Sequence, residues 1–474
     1  MDEFKYKKIS KAFNAIKNVS TSVQGTITWL EDRQARITGS DAGAILDMSK
    51  YDAQYSVILK KLFGQVFEKN DAMHHGNIFE DVACMLYEYY NDVNIKPYGL
   101  ISHRNIEYLG ASPDGIVSEL KKSDGSPTKL FGRMLEIKCP TKRNIIHTGK
   151  IKDGICPLMY WCQIQQQLEC ADLEECDFFQ CKFERYSRLE YINDTNTECS
   201  YLSKSSGYEK GIIIETLPFV LKDLDFENNK IVNNTKYEKT TYIYPPKINM
   251  SVVELDNWLL SEIDNLKNKR LHNIIYWRLV DKECTLIERD EYWFKNQLPV
   301  YNKMWSYIDY LKNNYNVSKE WKGYIDSMPR KYNKHIMSKL DDMIERNNLI
   351  KKKNDIEYSI LELNKVKEDV QKYFNIVLND TDDLHAMDYY SDDKFFDIKT
   401  RRHNHDMYYE TMVLESKYKF CKNSNKECYF IFNFLDGLYY YRYDNTSIFG
   451  FGICKKEKTN YVYIPIKYLI QILI

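Results

Sequence analysis

The chain has 474 residues, of which 43% are hydrophobic, so it is long enough for two or three globular domains and too apolar to be disordered. Its 67 basic and 68 acidic residues nearly cancel, so net charge neither indicates nor excludes a nucleic-acid partner. The sequence shows no secretory signal and no apolar stretch of ~18–20 residues. It therefore predicts an intracellular, cytoplasmic protein that is neither secreted nor membrane-spanning.

An N-terminal extension, residues 1–21, precedes a predicted α/β domain at residues 22–250. A helix is expected over Ile78–Tyr90, with Glu80 off its apolar face, because four apolar residues repeat at helical spacing: Ile78, Val82, Met85 and Tyr89. Short strands are predicted at Ile106–Gly110 and Gly115–Val117, joined by a Ser-Pro-Asp-Gly turn.

The rest of this domain alternates strands with a further helix. A compact apolar strand, Met134–Lys138, follows a polar insert and ends before Pro140, and a helix begins at Pro157. Three later strands are predicted at Asp177–Glu184, Gly211–Leu217 and Tyr242–Ile248.

Residues 251–379 are predicted to be a helical region, and residues 380–474 a β-rich C-terminal domain. Helical patterns cover Ser251–Asn268, Asp290–Lys312 and Lys334–Tyr373, and the highly charged last one predicts a long exposed or coiled connector. The strands expected in the C-terminal domain are Phe395–Thr400, Glu427–Phe434, Leu438–Tyr443 and Tyr461–Ile466.

Two acidic residues and a lysine on one predicted hairpin indicate a metal-dependent phosphodiesterase. Asp114 lies at the turn, while Glu136 and Lys138 are two residues apart on the next strand and so share one face. Carboxylates and the carbonyl oxygen of Ile137 suit Mg²⁺, and the lysine would lie near the attacking water. Each motif alone is more often a solvated strand face or an ordinary turn, so their combination favours catalysis.

The segments Gly110–Gly115 (GASPDG) and Leu135–Pro140 (LEIKCP) resemble the PD-(D/E)xK core of lambda-type, YqaJ-like exonucleases, which large DNA viruses and phages carry. Three further segments, Arg33–Asp41, Gly76–Glu80 and Tyr160–Gln165, are similar to other elements of that family. The resemblance covers residues 22–190 well and continues weakly to about 310. It implies an α/β (α+β) fold with a restriction-endonuclease-like core, in which a mixed central sheet is flanked by helices.

The resemblance also implies roles for the residues of the core. Asp114, Glu136 and the Ile137 carbonyl would bind the metal, with Glu80 near it through a water or a second ion. Lys138 would assist the attacking water.

Two residues of the second helix complete the catalytic set that the resemblance implies. Gln163 would contact the reacting phosphate or its water, and Tyr160 would lie beside it. Without the resemblance, Tyr160 and Gln167 could equally be plain surface residues.

A DNA end would be read by the N-terminal element, again by resemblance. Arg33 and Ser40 would hold a 5′-terminal phosphate, with Thr38 in the same element and Arg36 as the alternative to Arg33. The run from Thr38 to Asp41 is also typical of a helix N-cap, and both interpretations are compatible because a helix N-terminus favours phosphate.

Mg²⁺ is the expected cofactor, and Mn²⁺ is expected to substitute for it. Some exonucleases of this superfamily carry an iron–sulfur cluster on four cysteines. The twelve cysteines here include no C-x-x-C pair, so we expect reduced core thiols, without a cluster.

The predicted function is a Mg²⁺-dependent exonuclease that degrades linear duplex DNA from a 5′ phosphate during viral recombination, repair or genome processing. The alternatives are an endonuclease on the same core and a non-catalytic DNA-binding scaffold. Expected partners are double-stranded DNA ends, further copies of the chain in a homo-oligomer that could be a ring, and an annealing protein or helicase.

In the C-terminal domain, Asp397 and Lys399 repeat the acid-x-Lys pattern, with Asp388 upstream. One interpretation is a second, degenerate nuclease-like fold that grips DNA. The favoured one is a β domain with a solvated strand face that serves for interaction. The tyrosines of Leu438–Tyr443 could stack on bases but are more often half-buried sheet residues.

Overall fold

The computed structural model describes residues 3–18, 22, 24–64, 71–218, 224–225, 230–231, 240–267, 269–382, 385–447, 449–454 and 459–473. The chain divides into two compact units, Met1–Leu340 and Asp341–Ile474. The boundary falls within one long helix, Asn333–Phe374.

The helices of the described residues are α1 (Glu3–Asn18), α2 (Ile27–Gln34), α3 (Ala42–Ile45), α4 (Gln54–Phe63), α5 (Asp71–Asn91), α6 (Leu158–Ala171), α7 (Arg188–Asn193), α8 (Val252–Asp264), α9 (Glu291–Asn313), α10 (Tyr315–Ser327), α11 (Asn333–Phe374) and α12 (Glu415–Asn423). The strands of the first unit are β1 (Ile37–Thr38), β2 (Ile95–Lys96), β3 (Ile101–Ser102), β4 (Leu109–Ala111), β5 (Gly115–Val117), β6 (Met134–Lys138), β7 (Glu175–Tyr186), β8 (Lys210–Pro218), β9 (Leu224–Asp225), β10 (Lys230–Ile231), β11 (Thr241–Ile243) and β12 (Lys269–Glu288). Those of the second unit are β13 (Asn379–Asp380), β14 (Tyr389–Tyr390), β15 (Lys394–Thr400), β16 (Glu410–Leu414), β17 (Glu427–Phe434), β18 (Gly437–Arg442), β19 (Gly450–Cys454), β20 (Thr459–Pro465) and β21 (Ile470–Ile472).

Seven of the described strands of the first unit form one mixed sheet, in the order β11-β8-β12-β7-β6-β5-β2. β6 and β7 pair in parallel, and their other neighbours pair with them in the antiparallel sense. β6 and β8, and β7 up to Cys181, are buried at nearly every position, because a strand covered on both faces has no solvated side. The mixed sheet flanked by helices that the sequence predicts for the core is confirmed.

The boundary expected at residue 250 is wrong, because β12 lies inside the segment predicted to be helical. β12 has 20 residues and pairs with both β7 and β8, so the core sheet extends to residue 288. Charged residues interrupt the apolar residues in the second half of β12, and some of them pair with side chains of other segments. Glu283, for example, lies 2.7 Å from Nδ1 of His147. The helices expected on either side of β12 are confirmed as α8 and α9.

Helix α5 covers one face of this sheet. Its buried residues pack with apolar side chains of β6, β7 and β12 in one core: Ile78, Phe79, Val82, Ala83, Leu86, Ile137, Phe179, Cys181 and Trp277. Tyr89, which the sequence places on this apolar face, is 41% exposed, because Leu86 and Tyr87 take the buried positions of the last turns. Since Ile137 faces α5, strand alternation turns Glu136 and Lys138 away from that core.

The second unit contains a six-stranded sheet of described strands, in the order β13-β14-β15-β17-β18-β21, and a smaller sheet β16-β20-β19. It begins before residue 380, because Val366 and Val370 of α11 pack into its core. The solvated strand face expected here is wrong, since Asp397 is fully buried on β15. Tyr439 and Tyr441 are buried sheet residues in this unit. Among the residues described, no helix is long and apolar enough to cross a bilayer.

Candidate active site

Asp114 is the last residue before β5, and the neighbouring strand fixes its side chain. Its Oδ2 accepts a hydrogen bond from the backbone N–H of Ile137 at 2.6 Å. A Cβ at the next residue, Gly115, would clash with Cγ2 of Ile95, so glycine is required where β2 pairs with β5. The turn therefore delivers the Asp114 carboxylate to the strand that carries Glu136 and Lys138.

Glu136 is fully buried, and both of its carboxylate oxygens have partners. The ammonium of Lys138 contacts Oε1 of Glu136. From α6, Nε2 of Gln163 donates to the same Oε1 at 2.7 Å, and Nε2 of Gln167 donates to Oε2 at 2.7 Å. Gln163 and Gln167 lie one helical turn apart and so share a face. The interpretation of Gln167 as a surface residue is wrong, because it is 1% exposed and bonds Glu136.

Three carboxylates meet near a single lysine at this site. Burial and the charges of Glu136 and Glu80 raise the pKa of Asp114 well above its usual value. Burial also raises the pKa of Glu80. The charge of Lys138 opposes this increase, and the charge of Glu136 adds to it. Burial alone would lower the pKa of Lys138, but Glu136 and Asp114 raise it, so the lysine stays charged. With every group ionised, one lysine leaves two negative charges without compensation, which suits a divalent cation bound by hard oxygen ligands.

An open cleft of about 630 Å³ lies beside this cluster. Its lining includes Glu80, Lys138, Arg143 and Tyr160. Nζ of Lys138 lies 5.1 Å from the centroid of the Tyr160 ring, and Arg143 is oriented by a 2.7 Å bond to Gln180. The cleft therefore combines acidic and basic groups on one accessible surface.

The N-terminal element forms a second, smaller cavity of about 450 Å³. Arg33 lies on its wall, donates to Oγ of Ser40 at 2.7 Å, and stacks 4.4 Å from the ring centroid of Trp29. Burial lowers the pKa of the Arg33 guanidinium, although Asp41 raises it. An arginine remains charged in proteins, so this desolvated cation would gain from an anionic ligand. Arg36 instead contacts Asp32, with its NH1 3.7 Å from Oδ1.

Two lysines that the sequence did not indicate line this cavity, and both pair with Asp41. Lys60 and Lys61 of α4 line it, and their ammonium groups lie 3.1 and 2.7 Å from the carboxylate oxygens of Asp41. Buried Thr38 donates its N–H and its hydroxyl to Oδ2 of Asp41, at 2.9 and 2.7 Å. Thr38 therefore orders the turn that presents Ser40, which is exposed.

The small cavity is connected to the carboxylate cluster by packing. Nε1 of Trp29 donates to Oγ of Ser112, in the turn before Asp114, at 3.2 Å. Gly39 lies against α6, where a Cβ would come 3.3 Å from Cγ of Gln167, so a larger residue would displace the glutamine. The turn that presents Ser40 and the helix that holds Glu136 therefore support each other.

The cysteines of the densest run, Cys156, Cys162, Cys170, Cys176 and Cys181, are buried in the first unit. Burial raises the pKa of each thiol, to about 12 for Cys162, so they are protonated core residues at neutral pH.

The second unit holds a group of possible metal ligands that the sequence analysis did not single out. One ligand atom each of His405, Asp406 and Asp436 lie within 4.8 Å of one another. Nδ1 of His405 is 2.6 Å from Oδ2 of Asp436, and the two acidic residues are exposed. Exposed groups of this kind are common without a metal, so we assign no function to them.

A mixed sheet that carries an aspartate and a Glu-x-Lys pair on adjacent strands, facing a helix, defines the PD-(D/E)xK class of fold. Residues 28–174 match the family model of the YqaJ-like viral recombinase domain, so this part of the chain is similar to that domain. An uncharacterised protein of Acanthamoeba polyphaga mimivirus is 34% identical over 314 residues, which cover 65% of this chain. The match spans 56% of that relative, little more than half of its length.

Two solved structures are also similar to the chain. An alkaline exonuclease from Laribacter hongkongensis has a TM-score of 0.33 and 20% identity, over 61% of this chain and 98% of that one. A phage-related exonuclease from Haemophilus somnus has a TM-score of 0.30 and 14% identity, over 59% of this chain and 96% of that one.

Proposed function

We propose that the chain is a Mg²⁺-dependent DNA exonuclease that hydrolyses linear duplex DNA from a 5′-phosphorylated end. The observation that carries this proposal is the buried Glu136, held by two glutamines beside Asp114, Glu80 and Lys138 on an open cleft. A scaffold that merely binds DNA has no need of three carboxylates gathered around one lysine, because phosphate backbones repel acidic groups.

Asp114, Glu136 and Glu80, with the Ile137 carbonyl, would hold the metal, and Mn²⁺ would substitute for Mg²⁺. When bound, the metal would supply Lewis-acid stabilisation of the negative charge that develops on the phosphate. Lys138 stays charged beside Glu136 and can orient the attacking water or stabilise the same charge. Gln163 fixes Glu136 and, with Tyr160 on the cleft wall, would position the reacting phosphate.

The cavity of Arg33, Lys60 and Lys61 supports recognition of a terminal phosphate. The guanidinium of Arg33 lies 2.7 Å from the exposed hydroxyl of Ser40, and Lys60 and Lys61 line the same cavity as Arg33. Phosphate monoesters accept several charge-assisted hydrogen bonds at once, which this arrangement could donate. A phosphodiester inside the duplex has one free oxygen fewer and less negative charge than a terminal phosphate monoester, so such a cavity favours the end.

The biological setting we propose is viral DNA recombination, repair or genome processing inside the host cell. A homo-oligomer, ring-shaped if it encircles DNA, and an annealing protein or helicase partner belong to the same proposal.

The first experiment separates the three candidate functions. The wild type should shorten a 5′-phosphorylated linear duplex in Mg²⁺ and stop in EDTA, while Glu136→Gln and Lys138→Ala should be inactive. Glu184→Gln, an exposed glutamate on β7, serves as the matched control and should retain activity. Cleavage of covalently closed circular duplex would favour an endonuclease instead. DNA binding without metal-dependent cleavage by the wild type would favour a scaffold.

A second experiment tests the end-binding cavity separately. The rate on 5′-phosphorylated ends should exceed that on 5′-hydroxyl ends by about tenfold or more, as expected for lost hydrogen bonds to a charged group. Arg33→Ala should abolish this preference, while Arg104→Ala, an exposed arginine paired with Asp172, should keep it. Equal rates on both ends in the wild type would contradict recognition of the phosphate.

A further inference from the structure

The second unit contains a carboxylate that is held in the same way as Asp114. Asp388 immediately precedes β14, which pairs in the antiparallel sense with β15, as Asp114 precedes β5, which pairs with β6. Oδ2 of Asp388 accepts a hydrogen bond from the N–H of Ile398 at 3.2 Å, as Asp114 does from Ile137. In each unit, the residue that donates lies between an acidic residue and a lysine.

The acid-x-Lys pair of the second unit is also placed like its counterpart. Asp397 is fully buried on β15, and Nζ of Lys399 lies 2.9 Å from its Oδ1. β15 pairs in parallel with β17, as β6 does with β7, and in each unit a helix lies between these two strands along the chain.

The intervening helices differ in what they contribute. Helix α6 gives Gln163 to Glu136, whereas α12 gives Lys417. Nζ of Lys417 lies 2.6 Å from Oδ1 of Asp388 and also contacts Oδ1 of Asp397. One ammonium therefore bridges the two carboxylates that would otherwise share a cation.

The balance of charge differs accordingly. In the first unit one lysine faces three carboxylates, whereas Lys399 and Lys417 face Asp388 and Asp397 in the second, so this pair of acids is neutralised. Oδ2 of Asp397 is nevertheless buried without a hydrogen-bond partner. A buried carboxylate oxygen without a hydrogen bond is energetically costly. Oδ2 of Asp397 therefore marks a position where a bound cation would supply the missing partner.

We propose that the second unit contains a site built like the first, in which the ammonium of Lys417 takes the place of a divalent cation. The unit therefore does not bind such a cation through Asp388 and Asp397 as long as Lys417 is present. Replacing Lys417 with glutamine, the residue that α6 contributes, opens a site for Mg²⁺ or Mn²⁺. This inference does not rest on nuclease activity.

Mn²⁺ binding to the full chain tests the proposal, read by electron paramagnetic resonance of the free ion. The background is Asp114→Asn with Glu136→Gln, which disables the first site, and His405→Ala, which removes the exposed ligand group of this unit. This background should bind no Mn²⁺ through Asp397. Adding Lys417→Gln should yield one further Mn²⁺ per chain, and Asp397→Asn should remove it again. Lys417→Arg, which keeps a cation there, is the matched control and should gain none.

Two outcomes would overturn the proposal. The first is that the background variant, with Lys417 intact, already binds a Mn²⁺ that Asp397→Asn removes. Lys417 then does not occupy the cation position, and the results with Lys417 variants cannot change that conclusion. If Lys417→Gln and Lys417→Ser both keep the wild-type near-ultraviolet circular dichroism but gain no Mn²⁺, the two carboxylates do not form a cation site. The first measurement needs no Lys417 variant, so misfolding of those variants leaves it decisive. Loss of DNA cleavage would appear in none of these readouts, so the proposed function and this inference fail separately.

Discussion

Replacing Asp41 with asparagine should destabilise the first unit by about 3–5 kcal/mol, the usual result of stranding a buried charge. Asp41 is 3% exposed and the side chain of Lys61 is 1% exposed, with 2.7 Å between Nζ and Oδ2. Without the carboxylate, the Lys61 ammonium stays buried beside the carbonyl oxygen of Arg33, 2.7 Å away. A single carbonyl cannot replace the desolvation energy that the ion pair offsets.

The partner substitution should cost less. In Lys61→Met, Asp41 keeps Lys60 at 3.1 Å and both hydrogen bonds from Thr38, so we expect a loss of about 1–3 kcal/mol. The double variant Asp41→Asn with Lys61→Met should be more stable than Asp41→Asn alone, because no buried ammonium is left without its carboxylate; Lys60, the other partner of Asp41, is half-buried and keeps access to water.

Tryptophan fluorescence can measure this in the whole chain. All seven tryptophans lie between Trp29 and Trp321, inside the first unit, so a denaturant titration reports that unit even though two units preclude a single two-state transition. Asp153→Asn, an exposed aspartate, is the matched control and should change stability by less than about 0.5 kcal/mol. The reasoning is refuted if Asp41→Asn matches this control, or if the double variant is no more stable than Asp41→Asn.

Three further predictions concern the same unit. Burial would raise the pKa of Asp41, but Lys61, Lys60 and Thr38 hold it below its usual 3.8. The stability that this provides is present above about pH 4 and is lost as the pH falls, so the urea midpoint should drop more from pH 5 to pH 3 in the wild type than in Asp41→Asn. Equal drops would contradict this assignment. Gln166→Leu should lower the free energy of unfolding, followed by tryptophan fluorescence, by about 3 kcal/mol, because two carbonyl oxygens and the Tyr301 hydroxyl lose their hydrogen-bond partner. Adding Tyr301→Phe should make this loss of stability smaller. Mg²⁺ at 100-fold its Kd should stabilise the wild type by about 2.7 kcal/mol and leave Glu136→Gln unchanged; an equal gain in both would place the ion elsewhere.

The arrangement of Asp114, Glu136 and Lys138 could be predicted from sequence because it depends on local rules. One hairpin brings the three residues together, and strand alternation alone puts two of them on one face. Gln167 could also have been found, since it lies one helical turn after Gln163. The cavity lysines left a weaker signal. Lys61 follows Val57 and Ile58 at helical spacing, and a lysine on an apolar helix face usually has a buried partner.

Other features depend on contacts between distant segments and left no local pattern. β12 carries charged residues whose partners, such as His147, belong to a separate loop. Its sequence therefore lacks a regular alternation of apolar and polar residues. The contact of Lys417 with Asp388 arises from the pairing of β15 with β17, which the sequence of α12 does not encode. The burial of Asp397 also could not be predicted from its own strand, because neighbouring strands and helices exclude water from it.

The bond from a strand amide to the upstream aspartate has a consequence for how such sites tolerate insertions. In the first unit, residues 118–133 connect the two strands of the hairpin, whereas residues 391–393 do so in the second. The aspartate nevertheless accepts the same amide in both, from Ile137 and from Ile398. Since register and not loop length fixes the carboxylate, the connecting segment is free to grow, shrink or acquire its own contacts to DNA while the acidic residues keep their relative positions.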